Sequence, residues 1–152
     1  MGYYFRIYGF DKTYQKGEVN FYAEMSEDIP LLEKVKIIAE KLSRFRYSGI
    51  PIEVLEIYTD DKNNKIALVN LLEREWNRNP KNKIVGTTWR SHYFQGSSGG
   101  SETTYTLRNS FLQKEYPGEW IDGVKFLYEN QPIGNDWDHI SLSGVIYRSS
   151  VQ

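Results

Sequence analysis

The chain has no cysteine among its 152 residues. That excludes disulfides, a thiolate zinc site and a cysteine nucleophile, and it suits a reducing compartment. It has no surplus of charge, since 19 Lys and Arg stand against 20 Asp and Glu. A general nucleic-acid binder carries a basic excess, so nucleic acid is not an expected partner, and the chain is not acidic enough to mimic DNA. No apolar run approaches the roughly 18 residues needed to span a bilayer. The first residues, Met1 to Arg6, hold no apolar h-region, and Arg6 stands where a myristoylation motif needs Ser or Thr. The expectation is a cytoplasmic protein with no membrane partner.

Catalytic signatures are equally scarce. There is no Gly-x-Ser-x-Gly elbow, no His-Glu-x-x-His and no Rossmann glycine fingerprint. The chain has only two histidines, His92 and His139. The sequence calls for no cofactor and no metal, and it leans away from an enzyme.

What the chain has in quantity is aromatic residues: 12 Tyr, 4 Trp and 7 Phe, 15% of the total. Tyrosine joins a rigid apolar body to a hydroxyl that needs a partner, a combination found at recognition surfaces. It is also a favoured residue of half-buried strands. Both readings stand at this level, and they differ in whether the rings are surface or core.

The length suits one domain over residues 1–152, large enough to bury about 68–70% of the surface its unfolded chain exposes. Residues 3–8 alternate as a strand, with Tyr3, Phe5 and Ile7 on one face. Residues 19–25 alternate likewise, with Val19, Phe21, Ala23 and Met25 on one face, and the polar stretch 9–17 joins the two as a hairpin. The period then changes. Leu31, Val35, Ile38, Leu42 and Phe45 recur at three and four residues, which predicts an amphipathic helix over 30–46. Asp28 is its expected cap, and Gly49 with Pro51 its stop.

Residues 52–58 read as a third strand and 60–64 as a turn. Residues 66–76 fit a helix or a strand, and the helix formers Glu73, Arg74 and Glu75 favour the helix. Beyond them the pattern predicts strands at 84–94, 103–108, 124–128 and 140–147, a flexible loop at 95–101 and a short helix at 109–116. The class is α+β: an antiparallel or mixed sheet with about two helices packed on it.

Three places carry chemistry. Between 74 and 94, the cations Arg74, Arg78, Lys81, Lys83 and Arg90 interleave with Trp76, Trp89, His92, Tyr93 and Phe94. Guanidinium forks match phosphate oxygens and aromatic faces stack on bases, so Arg74, Arg78, Arg90, Trp89 and Tyr93 form a candidate nucleotide site. The plainer reading is a solvated helix end followed by a strand of alternating rings. The glycine- and serine-rich stretch 95–101 can offer backbone amides to an anion, but it lacks the Gly-Lys-Ser/Thr ending of a phosphate loop. Lastly, His139-Ile140-Ser141 has the spacing of one half of a two-histidine phosphoesterase. His92-Tyr93-Phe94 lacks the hydroxyl residue of the other half. The neighbouring Asp136 and Asp138 fit a turn more simply than a metal site.

The expected function is a non-catalytic binding protein that acts by occupying a macromolecular partner, a protein above all, in the manner of immunity proteins or phage anti-defence inhibitors. Trp89 and Tyr93 are its expected contacts. A nucleotide-binding sponge or sensor is the first alternative, and an enzyme using His92 and His139 as acid and base the second. A homodimer is compatible with the first two.

Overall fold

The computed structural model of the chain describes residues 2–13 and 15–151; Met1, Tyr14 in the expected turn, and Gln152 lie outside them. Two strands, β1 (Gly2–Phe10) and β2 (Gly17–Ser26), pair antiparallel as a ribbon. The alternation seen in the sequence governs their faces. Phe5, Ile7, Ala23 and Met25 are buried, while Tyr4 and Tyr22 face water and meet edge to face at 6.4 Å.

Helix α1 (Leu31–Arg46) follows, burying Val35, Ile38, Ala39 and Leu42 along one stripe. Its start differs from the expectation. Pro30, not Asp28, holds the N-cap position. Its end is as expected: Gly49 takes a φ of 76° and its N–H reaches the Ser43 carbonyl at 2.7 Å, closing the last turn in the left-handed conformation glycine adopts freely.

The second sheet has five strands. β3 (Ile52–Thr59) and β4 (Lys65–Leu71) are antiparallel, joined by a turn in which Asp60 accepts from the N–H groups of Lys62 and Asn64. β4 lies parallel to β5 (Gly123–Tyr128). On the far edge of β5, β6 (Gln131–Pro132) and β7 (Val145–Tyr147) both pair antiparallel with it. The helix expected over 66–76 is therefore wrong. A strand flanked on both sides and covered on both faces shows a continuous apolar run, here Ile66 to Val69, instead of alternation. Such a run matches a helical stripe equally well. The helix formers after it build only the four-residue α2 (Glu75–Arg78).

Helix α3 (Ser97–Leu112) carries the largest correction. It replaces most of the expected loop 95–101 and the expected strand 103–108, and it takes in the first half of the expected helix 109–116 as its last turn. Its buried face is Thr103, Thr106, Leu107, Ser110 and Phe111, spaced three and four apart. Threonine and serine carry little hydropathy and threonine has no helical bias, so the stripe was silent in sequence. Tertiary bonds satisfy two of its three hydroxyls, while Thr106 Oγ1 has no hydrogen-bond partner. Thr103 donates to the Tyr93 carbonyl at 2.7 Å, and Ser110 accepts from the Tyr8 N–H at 3.0 Å.

Of the remaining expected strands, 124–128 is present in full within β5, and the other two shrink. Residues 84–94 form no strand but an irregular run ending in a π-helical turn, Trp89–Tyr93, and of 140–147 only Val145–Tyr147 is a strand. The fold is α+β, as expected, with α1 and α3 each touching both the ribbon and the larger sheet. One apolar cluster joins Phe5 and Ile7 of the ribbon, Ile38 and Leu42 of α1, Phe111 of α3 and Val69, Val124 and Phe126 of the sheet. Each such side chain contributes about 1.5–3 kcal/mol of transfer free energy.

Candidate functional site

Between the end of β4 and the start of α3 the chain makes a long excursion, residues 72–96, tied together by side-chain to backbone bonds. At its root is Glu73, only 1% exposed. Its carboxylate accepts from the N–H groups of Trp89 and Arg90, both at 3.1 Å, and from the Tyr128 hydroxyl at 2.7 Å. The Arg90 guanidinium stands 3.7 Å away. A buried carboxylate is tolerated when it is paired and fully bonded, and Glu73 meets that condition. Burial first, then the bond to Glu73, pushes the Tyr128 hydroxyl up, so it remains a donor to the carboxylate.

Further out, Asn77 is 2% exposed and clamps Val85 from both sides. It donates to the Val85 carbonyl and accepts from its N–H, each at 2.9 Å. The Trp76 indole donates to the Lys83 carbonyl at 2.8 Å, and Asn82 donates to the Trp76 carbonyl at 2.9 Å. Arg74 donates to the carbonyls of Thr87 and Ser48. Gly86, at a φ of 74°, turns the chain back.

These bonds hold three large apolar side chains in water: Val85 at 63% exposure, Trp76 at 55% and Ile84 at 38%. Lys81 and Lys83 are exposed between them in sequence. No acidic residue falls between Glu75 and Glu102, whereas Arg78, Lys81, Lys83 and Arg90 do. In a chain of net charge −1, the excursion is a positive surface with an apolar tip.

The sequence candidates land differently from one another. Trp89 is fully buried, donates to the Leu72 carbonyl at 3.0 Å and packs against Tyr47, 4.7 Å between ring centroids. Its face is core, not a platform for a base. Tyr93 is half-buried, and its hydroxyl shares a hydrogen bond with Ser48 at 2.7 Å. Arg74 serves the backbone. Arg78 and Arg90 do come together, lining a cleft of about 460 Å³ with Tyr128, Glu73 and Glu129. There Arg78 lies 3.4 Å from Glu129, and Arg90 faces Glu73, so two carboxylates answer the two guanidinium groups. The residue that sequence reasoning passed over as a contact is Trp76. The stretch of 26 residues that begins at Trp76 and holds no acidic residue was the available signal.

His92 is exposed, and its Nδ1 accepts from the Thr88 N–H at 3.0 Å. His139 is exposed on a different wall, in a cleft alongside α3 whose lining does not include His92. Among the described residues no group of three or more His, Asp or Glu is placed to hold a metal ion. No helix of the described residues is long and apolar enough to cross a membrane.

No family model matches the chain, and no curated protein does either. Among solved structures, a 2.5 Å crystal structure of a "Putative Lipoprotein from Clostridium perfringens" aligns with 98% of this chain and 88% of that one, at 14% identity and a TM-score of 0.42.

Proposed function

We propose that the protein is a non-catalytic binding protein that occupies the surface of a protein partner, with the tip of the 72–96 excursion as its contact. The observation that carries the reading is the Asn77 clamp. A buried side chain fixes both polar groups of Val85 and so holds an apolar residue outward. Binding costs less when the contact is already in its bound shape, and exposed tryptophan beside cations is the composition of an interface hot spot. The exposed Lys81 and Lys83, in a stretch with no acidic residue from 76 to 101, select a partner with an acidic rim around an apolar pocket. An anionic lipid surface is the weaker fit, because two lysines contribute only about 1 kcal/mol each there. Inhibitors and immunity proteins act in this manner, by covering a partner rather than by chemistry.

The test is a photo-crosslinking residue placed at Val85 in the expressing cell, with the same residue at exposed Lys12 as control. A single protein adduct is expected from position 85 alone. Binding of that purified protein then weakens by about 30-fold on Trp76→Ala, the equivalent of roughly 2 kcal/mol. Lipid adducts at position 85, adducts identical at both positions, or a Trp76→Ala variant that binds as tightly as the parent would each overturn the reading.

A further inference from the structure

The chain after β6 runs back along α3 and leaves a cleft of about 370 Å³. Thr104, Tyr105 and Arg108 form the helix wall; His139, Ser141 and Ser150 form the wall opposite. The two walls are fixed to each other. The Ser141 N–H donates to Thr104 Oγ1 at 3.1 Å, which leaves the threonine's own proton free to donate. Gly100 lets the strands of chain close up, since a Cβ there would stand 2.4 Å from the His139 carbonyl oxygen.

Arg108 differs from the other arginines, except Arg6, whose guanidinium is turned to Tyr8. Arg44, Arg46, Arg78 and Arg90 each have a carboxylate within 4 Å. Arg74 and Arg148 are bonded to several backbone carbonyls. Arg108 has one long bond, to the Ser141 carbonyl at 3.5 Å, and no carboxylate partner among the described residues. It also lines a second, adjoining cleft of about 270 Å³ with Ser141, Ser143 and Ser150. Its fork thus stands at the junction of two clefts bordered by hydroxyl groups, and no acidic residue lines either one.

We propose that this cleft binds a phosphorylated small molecule of mononucleotide size. Guanidinium is the donor that matches a phosphate with two parallel hydrogen bonds. Arg108 takes two phosphate oxygens, and the Thr104 hydroxyl with the neighbouring serines supplies further donors. Tyr105, whose ring packs on Tyr8 and Phe10 of the ribbon, borders the place of the organic body. The volume falls in the range of small-ligand pockets. None of these residues belongs to the 72–96 excursion, so this site stands or falls separately from the protein contact.

The experiment is a series of ¹H–¹⁵N spectra of the full chain titrated with AMP, with inorganic phosphate and with adenosine. AMP is expected to produce saturable shifts of the amides of 104–108 and 139–143, half-complete at or below about 1 mM. Phosphate moves the same amides more weakly, and adenosine leaves them unmoved. Arg108→Gln, with its spectrum still dispersed as a folded protein's, weakens AMP binding at least tenfold, while Trp76→Ala titrates like the parent. The proposal is overturned if these amides do not shift with AMP, if phosphate binds as tightly as AMP, or if Arg108→Gln titrates unchanged.

Discussion

The side chain of Gln113 closes on the backbone of Arg6, accepting from its N–H at 3.0 Å and donating to its carbonyl at 2.6 Å. A single carboxamide thereby stands in for a neighbouring strand along the outer edge of β1. Gln113 does this from a left-handed backbone, φ 42° and ψ 57°, at the C-cap of α3, a conformation that costs a non-glycine residue of order 1 kcal/mol. The edge bond and the helix stop are the same residue, so the ribbon and α3 are locked end to side.

Gln113→Ala is expected to destabilise the fold by about 2–3 kcal/mol, because two backbone groups beside a 2% exposed side chain lose their partners. Gln113→Gly should lose less, since glycine adopts the left-handed conformation without strain. Urea unfolding midpoints decide it. An alanine variant that unfolds at the parent's midpoint would remove the clamp from the account of stability.

Asn77→Ala should leave the core intact and loosen the tip. Val85 is exposed, so water replaces the two lost hydrogen bonds, and the global cost stays near 1 kcal/mol. The local effect is larger. Losing the clamp lowers the free energy of opening the loop by about 1.4 kcal/mol, which is a tenfold rise in its open population. Trypsin cleavage after Lys81 or Lys83 should accelerate accordingly under native conditions. Equal cleavage rates would mean that the tip is held by something other than Asn77.

How much of this was legible in the sequence follows the physics of each element. The ribbon and α1 each have one wet face and one dry face, so their periods of 2 and 3.6 are plain in the order of residues. β4 has no wet face and showed only an apolar run. α3 buries hydroxyls, Thr103, Thr106 and Ser110, which a hydropathy pattern does not register. The excursion was visible as a cationic aromatic segment, but Trp76 and Trp89 were not told apart. One is exposed because its indole bonds to a loop carbonyl; the other is buried because Glu73 pulls its backbone inward. Both contacts join residues distant enough in sequence that no local pattern contains them.

Glu73 is the group on which the excursion depends. Glu73→Ala strands the N–H groups of Trp89 and Arg90 and the hydroxyl of Tyr128, and leaves the Arg90 cation without its carboxylate. Arg90 is partly exposed and keeps water, but each buried donor left without its acceptor costs about 1–3 kcal/mol, for roughly 3–5 kcal/mol in all. Glu73→Gln keeps one acceptor but turns an N–H₂ toward a donor, with an expected cost near 2 kcal/mol. The order alanine worse than glutamine worse than parent, read from urea unfolding, is the prediction. An alanine variant within 1 kcal/mol of the parent contradicts it.

The Tyr47 hydroxyl is buried with no hydrogen-bond partner. Burial pushes that hydroxyl up, against a smaller opposing pull from the Arg46 cation. Tyr116 is also raised, to about 12, by burial first and then by its bond to Glu27. The folded state therefore holds these protons more tightly than the unfolded chain, whose tyrosines titrate near 10. The stabilisation is fully present below pH 10 and is lost as pH rises from there through the folded values. Stability should be flat in this respect from pH 7 to 9 and fall above 10, with Tyr47 and Tyr116 ionising only as the protein opens. Tyr47→Phe keeps the ring contacts with Trp89 and Tyr93 and removes an unsatisfied polar atom, an atom whose burial costs about 1–3 kcal/mol. That variant should be more stable than the parent at pH 7 and should lose less stability between pH 10 and 12. Loss of stability at pH 7 would show that the hydroxyl has a partner after all, with Thr103 or Thr106 the nearest candidates.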